Sequence, residues 1–127
     1  MTIAAGFVCT DGLVLCADTE YSNGTLKVSK TKIFKRPQND LLIAASGDEV
    51  LIEEAAHTLL ESLDDQLSLD HVKETIEHVM EAMHGNYIDR SLVPDYTVHL
   101  LVAASARDGF ALFKQSKWAA TEVKTKP

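Results

Sequence analysis

The first part of the chain has the pattern of short β-strands. Runs of apolar, β-branched and small residues are interrupted by polar residues, glycine and proline, which are typical of turns. The dipeptide Asp11-Gly12 lies between the first two runs and indicates a tight hairpin. The strands predicted from these runs are 2–9, 12–18, 25–28, 32–34 and 41–45, with a turn at 37–40.

The middle of the chain changes to the periodicity of amphipathic helices. A helix is expected to begin at Ser46, because Ser46 and Glu49 have the spacing of a capping box. A second helix is expected from Ser68 to about His84, with Gly85 in its C-cap. Apolar residues form one face of each helix: Leu51, Ala55, Leu59 and Leu63 in the first, and Val72, Ile76, Val79, Met80 and Met83 in the second.

Three more strands are expected at 97–104, 110–114 and 117–123. Strands in blocks with helices between them predict an α+β fold with antiparallel sheets. The length of 127 residues fits a single domain that spans residues 1–127. The composition, with 46% hydrophobic and 24% charged residues, is typical of a globular protein.

The charge pattern narrows the classes of partner. A net charge of −7 argues against nucleic acid or an anionic membrane, since both require a basic surface. The apolar runs are too short to span a bilayer, and no basic segment precedes the N-terminal run as in a secretory signal. A cytoplasmic protein is therefore expected, with Cys9 and Cys16 as buried free thiols.

The second residue of the chain is a candidate nucleophile. Once Met1 is removed, the free α-amine of Thr2 can accept the proton of the Thr2 hydroxyl. The ordinary pKa of an α-amine is about 7.7–8.0, and a nearby ammonium such as that of Lys32 lowers it. The carboxylate of Asp18 could hold that lysine in place. A backbone N–H at Gly47, between a strand and a helix N-terminus, could stabilise an oxyanion.

The register of the first hairpin decides whether Thr2 and Asp18 share a face. With a three-residue connection, Thr10 to Gly12, Thr2 lies opposite Glu20 and Asp18 is its diagonal neighbour on the same face. A two-residue connection places Thr2 and Asp18 on opposite faces.

Taken in order, these residues resemble the N-terminal half of a proteasome β-type subunit. The resemblance implies the N-terminal-nucleophile (Ntn) hydrolase fold, an αββα sandwich of two antiparallel sheets between helix layers. It also implies a threonine-type peptidase in a homo-oligomer or ring, which hydrolyses amide bonds of peptides or proteins without a cofactor or metal. The pattern that carries it is Thr2, Asp11-Gly12-Leu13-Val14-Leu15, Ala17-Asp18-Thr19, Lys32-Ile33 and Ser46-Gly47.

The resemblance assigns a role to each matching position. Thr2 becomes the nucleophile and, through its amine, the base; Lys32 tunes that amine and Asp18 orients Lys32. Gly47 donates the oxyanion-hole N–H. Two positions depart from the family, since Glu20 stands where a basic residue is usual and Tyr21 where a small one is usual, which alters the expected specificity pocket. The residues expected to contact substrate are Glu20, Tyr21, Ser22, Gly47 and Glu49.

The resemblance covers nearly the whole chain but only part of the family's domain. Family members continue with a glycine-flanked serine, a further aspartate and serine, and a second pair of helices. The sandwich is therefore expected to be incomplete, through truncation or because a second chain or self-association covers the exposed sheet. With Met1 retained the Thr2 amine is acylated. The alternative function is accordingly a catalytically inactive proteasome-like subunit with an assembly or binding role, and a third interpretation is an unrelated α+β domain.

Several titratable residues share one face of the second helix. His71, Glu74, His78 and Glu81 recur at helical spacing, and Glu81 with His84 has the E-x-x-H spacing of a di-iron site. Such a site needs matching ligands on other helices, which the first helix does not offer. A solvated polar face without metal is therefore predicted.

Overall fold

The computed structural model describes residues 4–9, 12–17, 22–23, 28–88, 98–116 and 119–123. The fold is α+β with antiparallel strands and two helices, as the pattern predicts. The strands are β1 (Ala4–Cys9), β2 (Gly12–Ala17), β3 (Ser22–Asn23), β4 (Val28–Lys35), β5 (Leu41–Asp48), β6 (Val98–Ala106), β7 (Gly109–Ser116) and β8 (Ala119–Val123); the helices are α1 (Glu49–Ser62) and α2 (Leu69–Met83), followed by a π-helical turn at His84–Ile88.

The strands form one large sheet and one separate hairpin. The large sheet has the order β3-β4-β5-β6-β7-β8 with every pair antiparallel, and β3 contributes only two residues to it. Helix α1 packs against β4, β5 and β6, while α2 packs against β6, β7 and β8. The helices therefore form one layer over one face of this sheet.

The main core lies between the helices and this sheet face. The predicted apolar faces of both helices are buried there, including Ala55, Leu59 and Met80, which are fully inaccessible to solvent. From the sheet, Ile43 and Phe113 complete the same cluster. Burial of these apolar side chains is the main driving force for joining the helix layer to the sheet.

The β1–β2 hairpin packs on the opposite face of the sheet. Leu112, which alternates with the core residue Phe113 along β7, points away from the helices and meets the hairpin at Gly6. A Cβ atom at Gly6 would lie 2.7 Å from Cδ2 of Leu112. Gly6 therefore permits the close approach of the hairpin to the sheet.

The junction between β5 and α1 differs from the prediction. Strand β5 continues through Ser46, which is paired with Thr31 on one side and His99 on the other. Ser46 is thus held in the sheet, and the predicted capping box that begins at Ser46 is wrong. The N-cap of α1 is Asp48. By contrast, Ser68 caps α2 as predicted, since its Oγ accepts a hydrogen bond from the His71 amide.

The predicted C-cap of α2 is also wrong. The His84 amide donates to the carbonyls of Glu81 and Met80, and the chain continues into the π-helical turn through Gly85. Gly85 does not adopt the left-handed conformation that a C-cap glycine supplies; in the described part of the chain, the glycines with positive φ are Gly47 and Gly109.

Cys16 does not fit the prediction of two buried thiols. It is a free cysteine with an exposed side chain on β2. Its neighbours Val14 and Leu15 explain this by alternation: Val14 is exposed on the same face as Cys16, while Leu15 is half-buried on the face toward the sheet.

A buried arginine links the β4–β5 turn to the connection between the helices. The Arg36 side chain is 5% exposed, and its Nη2 donates a hydrogen bond of 2.5 Å to the Asp64 carbonyl. Its Nε lies 3.7 Å from Oδ1 of Asp40. The Arg36 amide also donates to the Leu41 carbonyl at 3.0 Å, which closes the turn.

Candidate functional site

Two of the predicted catalytic residues lie side by side on one face of the sheet. In the β4–β5 register, Lys32 is opposite Ala45 and Lys30 is opposite Gly47. Lys32 and Gly47 are therefore diagonal neighbours on the same face of adjacent strands. That face is the one covered by α1, because Ala45 belongs to the core beneath the helices. The structure thus brings the proposed lysine next to the proposed oxyanion donor.

Gly47 has a backbone conformation that explains why glycine occupies this position. Its φ is 134°, a value that L side chains rarely adopt, so another residue would be strained here. The chain then turns directly into α1, where Oδ1 of Asp48 accepts hydrogen bonds from the amides of Val50 at 3.1 Å and Leu51 at 3.2 Å. The junction therefore places the positive end of the α1 dipole beside Gly47.

Lys32 has two partners on this face. Its Nζ lies 3.7 Å from Oε1 of Glu53 on α1 and 5.1 Å from the centroid of the Phe34 ring. Both charged side chains are partly exposed, at 45% for Lys32 and 42% for Glu53. Glu49, a predicted substrate contact, is the first residue of α1 and is half-buried. Since Glu49 and Glu53 are four residues apart, they lie on the same side of α1.

Glu53 is a residue that the sequence reasoning missed. The sequence contains one usable signal, because Glu53 lies one helical turn after Glu49, at the N-terminal end of the helix next to Gly47. The contact of Glu53 with Lys32 depends on the pairing of β4 with β5, because that pairing places Lys32 under α1. No local pattern in the sequence specifies this pairing.

Four of the predicted site residues lie outside the described part of the chain: Thr2, Asp18, Glu20 and Tyr21. Ser22 is described as a backbone position of β3, paired with Ser29. In the described part of the hairpin, Cys9 pairs with Gly12, so two residues separate the paired positions. The prediction that Thr2 and Asp18 share a face requires a three-residue connection, and this connection has two residues. Thr2 and Asp18 themselves lie outside the described residues, so their arrangement stays a prediction.

The polar face predicted for α2 is confirmed. Glu74, His78 and Glu81 are exposed, and His71 is half-buried with its Nε2 3.6 Å from Oδ2 of Asp64. Within the residues that the structure describes, no three His, Cys, Asp or Glu side chains converge in the way that metal ligands do.

A cavity of about 200 Å³ lies at the other end of β5. It opens beside Asp40 and Leu42, where the start of β2 and Phe110 of β7 meet the sheet. None of the predicted catalytic or substrate-binding residues lines it. The candidate site is therefore the junction around Lys32 and Gly47, not this cavity.

Comparisons of the chain with protein-family models, with curated proteins and with solved structures give no match. The resemblance to proteasome β-type subunits consequently rests on the residues quoted above and stays a prediction. The class that the fold itself defines is an α+β protein with an antiparallel sheet and one helix layer. In the described segments, no helix has both the length and the apolar character needed to cross a membrane.

Proposed function

We propose that the chain is a proteasome-like threonine hydrolase subunit of the Ntn type, which hydrolyses amide bonds of peptides or proteins. The observation that supports this most is the pairing of β4 with β5, which puts Lys32 beside Gly47 at the N-terminus of α1. A cation and a backbone donor next to a helix N-terminus form a setting in which negative charge that develops during acyl transfer is stabilised.

The proposed reaction uses Thr2 after Met1 has been removed. The Thr2 hydroxyl attacks the substrate carbonyl carbon and gives its proton to the α-amine of the same residue. The Gly47 N–H donates to the oxyanion of the tetrahedral intermediate. The amine returns the proton to the departing nitrogen, which leaves a threonyl ester. Water then attacks the ester, the amine again accepts and returns one proton, and the acid product and free Thr2 are released.

The charged residues have separate roles in this proposal. In this proposal the Lys32 ammonium favours the neutral form of the Thr2 amine, because a second positive charge nearby is unfavourable. The N-terminal residue must then reach the helix-covered face of the sheet, on which Lys32 lies. Asp18 orients Lys32, and Glu20, Tyr21, Ser22 and Glu49 line the substrate site together with Gly47. No cofactor or metal takes part.

The fold agrees with the proposal at a coarse level. The helix pair that follows β5 corresponds to one helix layer of an αββα sandwich. The large sheet and the hairpin on its opposite face correspond to parts of the two sheets. The complete sandwich, a homo-oligomeric or ring assembly and a cytoplasmic location belong to the proposal as well.

The test is covalent labelling of the N-terminal residue. The untagged protein is analysed for loss of Met1 by intact mass and then treated with a β-lactone or vinyl sulfone probe. We expect one adduct on Thr2, peptide hydrolysis that is sensitive to the probe, and loss of both in Thr2→Ala. The control is Thr121→Ala, which removes an exposed threonine on β8. Undiminished hydrolysis in Thr2→Ala contradicts the proposal.

A second candidate is an inactive subunit with an assembly or binding role. It is favoured by the outer face of the β1–β2 hairpin, where Val14 is 47% exposed and Cys16 is exposed beside it. In this second proposal these two side chains would contact another subunit. Retained Met1, no labelling and a defined oligomer in solution would favour this second function.

A further inference from the structure

We propose that the cavity between the hairpin and the start of β5 binds a small primary amine with an apolar body. The cavity has a volume of about 200 Å³ and lies between the β1–β2 hairpin, the β4–β5 turn and the first residues of β7. A cavity of about 150 Å³ can hold benzene, so this one has room for a ligand of about eight non-hydrogen atoms. The proposal concerns a second site and does not depend on the chemistry proposed for Thr2.

Three apolar side chains from separate strands form walls of the cavity. Leu13 of β2 lies on the hairpin face that points toward the sheet. Leu42 alternates with the core residues Leu41 and Ile43 along β5, so it points to the hairpin side of the sheet. Phe110 of β7 lines the same cavity and is 40% exposed. An apolar ligand body would therefore cover apolar surface that is otherwise accessible to solvent.

One carboxylate gives the cavity its charge. Among the described residues that line the cavity, Asp40 alone is charged. Its Oδ1 is buried, lies 3.7 Å from Nε of Arg36 and has no hydrogen-bond partner among the described residues. Since 3.7 Å exceeds the length of a hydrogen bond, Arg36 offsets the charge without occupying the acceptor positions of the carboxylate. Such a group favours a ligand that donates hydrogen bonds, and a protonated amine is a stronger donor than a neutral group.

The main chain holds Asp40 in place without a ligand. The Ser105 amide donates a hydrogen bond of 2.8 Å to the Asp40 carbonyl, which joins the β4–β5 turn to the end of β6. Within the turn, the Asn39 amide donates to the Arg36 carbonyl at 2.9 Å, and Asn39 has a left-handed φ of 59°, which asparagine tolerates. The acceptor is therefore pre-organised, and a ligand loses little affinity to ordering of the turn.

The remaining polar groups agree with a cation and argue against an anion. No lysine, arginine or histidine belongs to the described residues that line the cavity. Asn39 and Ser105 do line it and are exposed, and their side-chain oxygens can accept further hydrogen bonds from an ammonium. The net charge of −7 also attracts cations at long range.

The test is an NMR titration of the protein with benzylamine, which is an ammonium at neutral pH. We expect saturable shifts of the Leu13 and Leu42 methyl groups with a Kd of about 1 mM, which is ordinary for so small a ligand. Benzyl alcohol has the same ring without the charge and is expected to bind about tenfold more weakly. No saturable shift up to about 20 mM benzylamine, or equal affinity for the alcohol, overturns the proposal.

A charge variant with a matched control tests the role of the carboxylate. Asp40→Asn keeps the shape of the side chain and is expected to weaken benzylamine binding about tenfold while it leaves benzyl alcohol binding within about twofold. The control is Asp65→Asn, which removes the same charge from an exposed residue between α1 and α2. Equal affinity of the two variants for benzylamine contradicts the proposal.

A second variant tests the apolar wall. Phe110→Ala leaves Asp40 unchanged and is expected to weaken both ligands about fivefold, because the ligand loses apolar contact area. Unchanged binding in this variant overturns the placement of the ligand in the cavity. Amide spectra show whether each variant keeps its fold; if Asp40→Asn does not, the amine–alcohol comparison on the unchanged protein and Phe110→Ala decide the outcome.

Discussion

Replacement of Arg36 by alanine tests how the β4–β5 turn is anchored. The guanidinium is 5% exposed, donates to the Asp64 carbonyl and lies 3.7 Å from the Asp40 carboxylate. It therefore ties a turn at one end of the sheet to the connection between α1 and α2. The variant removes a charged hydrogen-bond donor and leaves both acceptors in place.

The expected loss follows from two contributions. A hydrogen bond from a charged donor is worth about 1.5–3 kcal/mol, and the two methylenes lost beyond Cβ contribute about 0.8 kcal/mol each. The Asp40 side chain is 23% exposed and can partly rehydrate, so the expected decrease lies in the lower part of the sum. We expect the free energy of unfolding to fall by about 3 kcal/mol, which lowers the Tm by about 10–15 °C for a chain of this size.

Urea and thermal unfolding followed by circular dichroism measure this loss. Arg36→Met, which keeps an apolar stem in the same space, is expected to lose about 2 kcal/mol. The control is Arg107→Ala, because Arg107 is exposed and its hydrogen bond to the Leu67 carbonyl comes from its main chain. If Arg36→Ala unfolds within about 0.5 kcal/mol of Arg107→Ala, the reasoning on the buried anchor is refuted.

Three smaller perturbations probe other junctions of the fold. Asp48→Ala removes the cap of α1 and is expected to lower the free energy of unfolding by about 1 kcal/mol, while Asp48→Asn keeps most of it; equal urea midpoints for the two would contradict the cap assignment. Glu77→Ala removes the acceptor of the Ala120 amide, a hydrogen bond of 3.2 Å, so amide exchange along β8 should accelerate by about fivefold, and an unchanged rate would argue against this tie between α2 and the edge strand. Gly6→Val forces a side chain against Leu112 and should cost about 1–3 kcal/mol in thermal unfolding, whereas a neutral effect would show that the hairpin does not approach the sheet this closely.

Local patterns of the chain were sufficient to predict most elements. The helix that begins after Ser68 and the buried pair Met80 and Met83 follow from 3.6-residue periodicity, which reports directly on which face is apolar. The strands on both sides of the turn at 37–40 follow from apolar runs bounded by turn residues. The sequence also marked Lys32 and Gly47 as candidates, since each residue type suits its proposed chemistry.

Other features depended on pairing between distant segments. Ser46 has the local signature of a cap, but the pairing of β5 with both neighbouring strands extends through Ser46 and keeps it in the sheet, and Asp48 is the N-cap instead. In the same way, the diagonal arrangement of Lys32 and Gly47 comes from the β4–β5 register, and the partner Glu53 comes from the way α1 packs over that register. Periodicity is a property of neighbours along the chain, whereas register and packing are decided by residues that meet only after folding. Local patterns along the chain therefore specify the elements and the candidate residues, whereas strand register and helix packing specify which of those residues become neighbours.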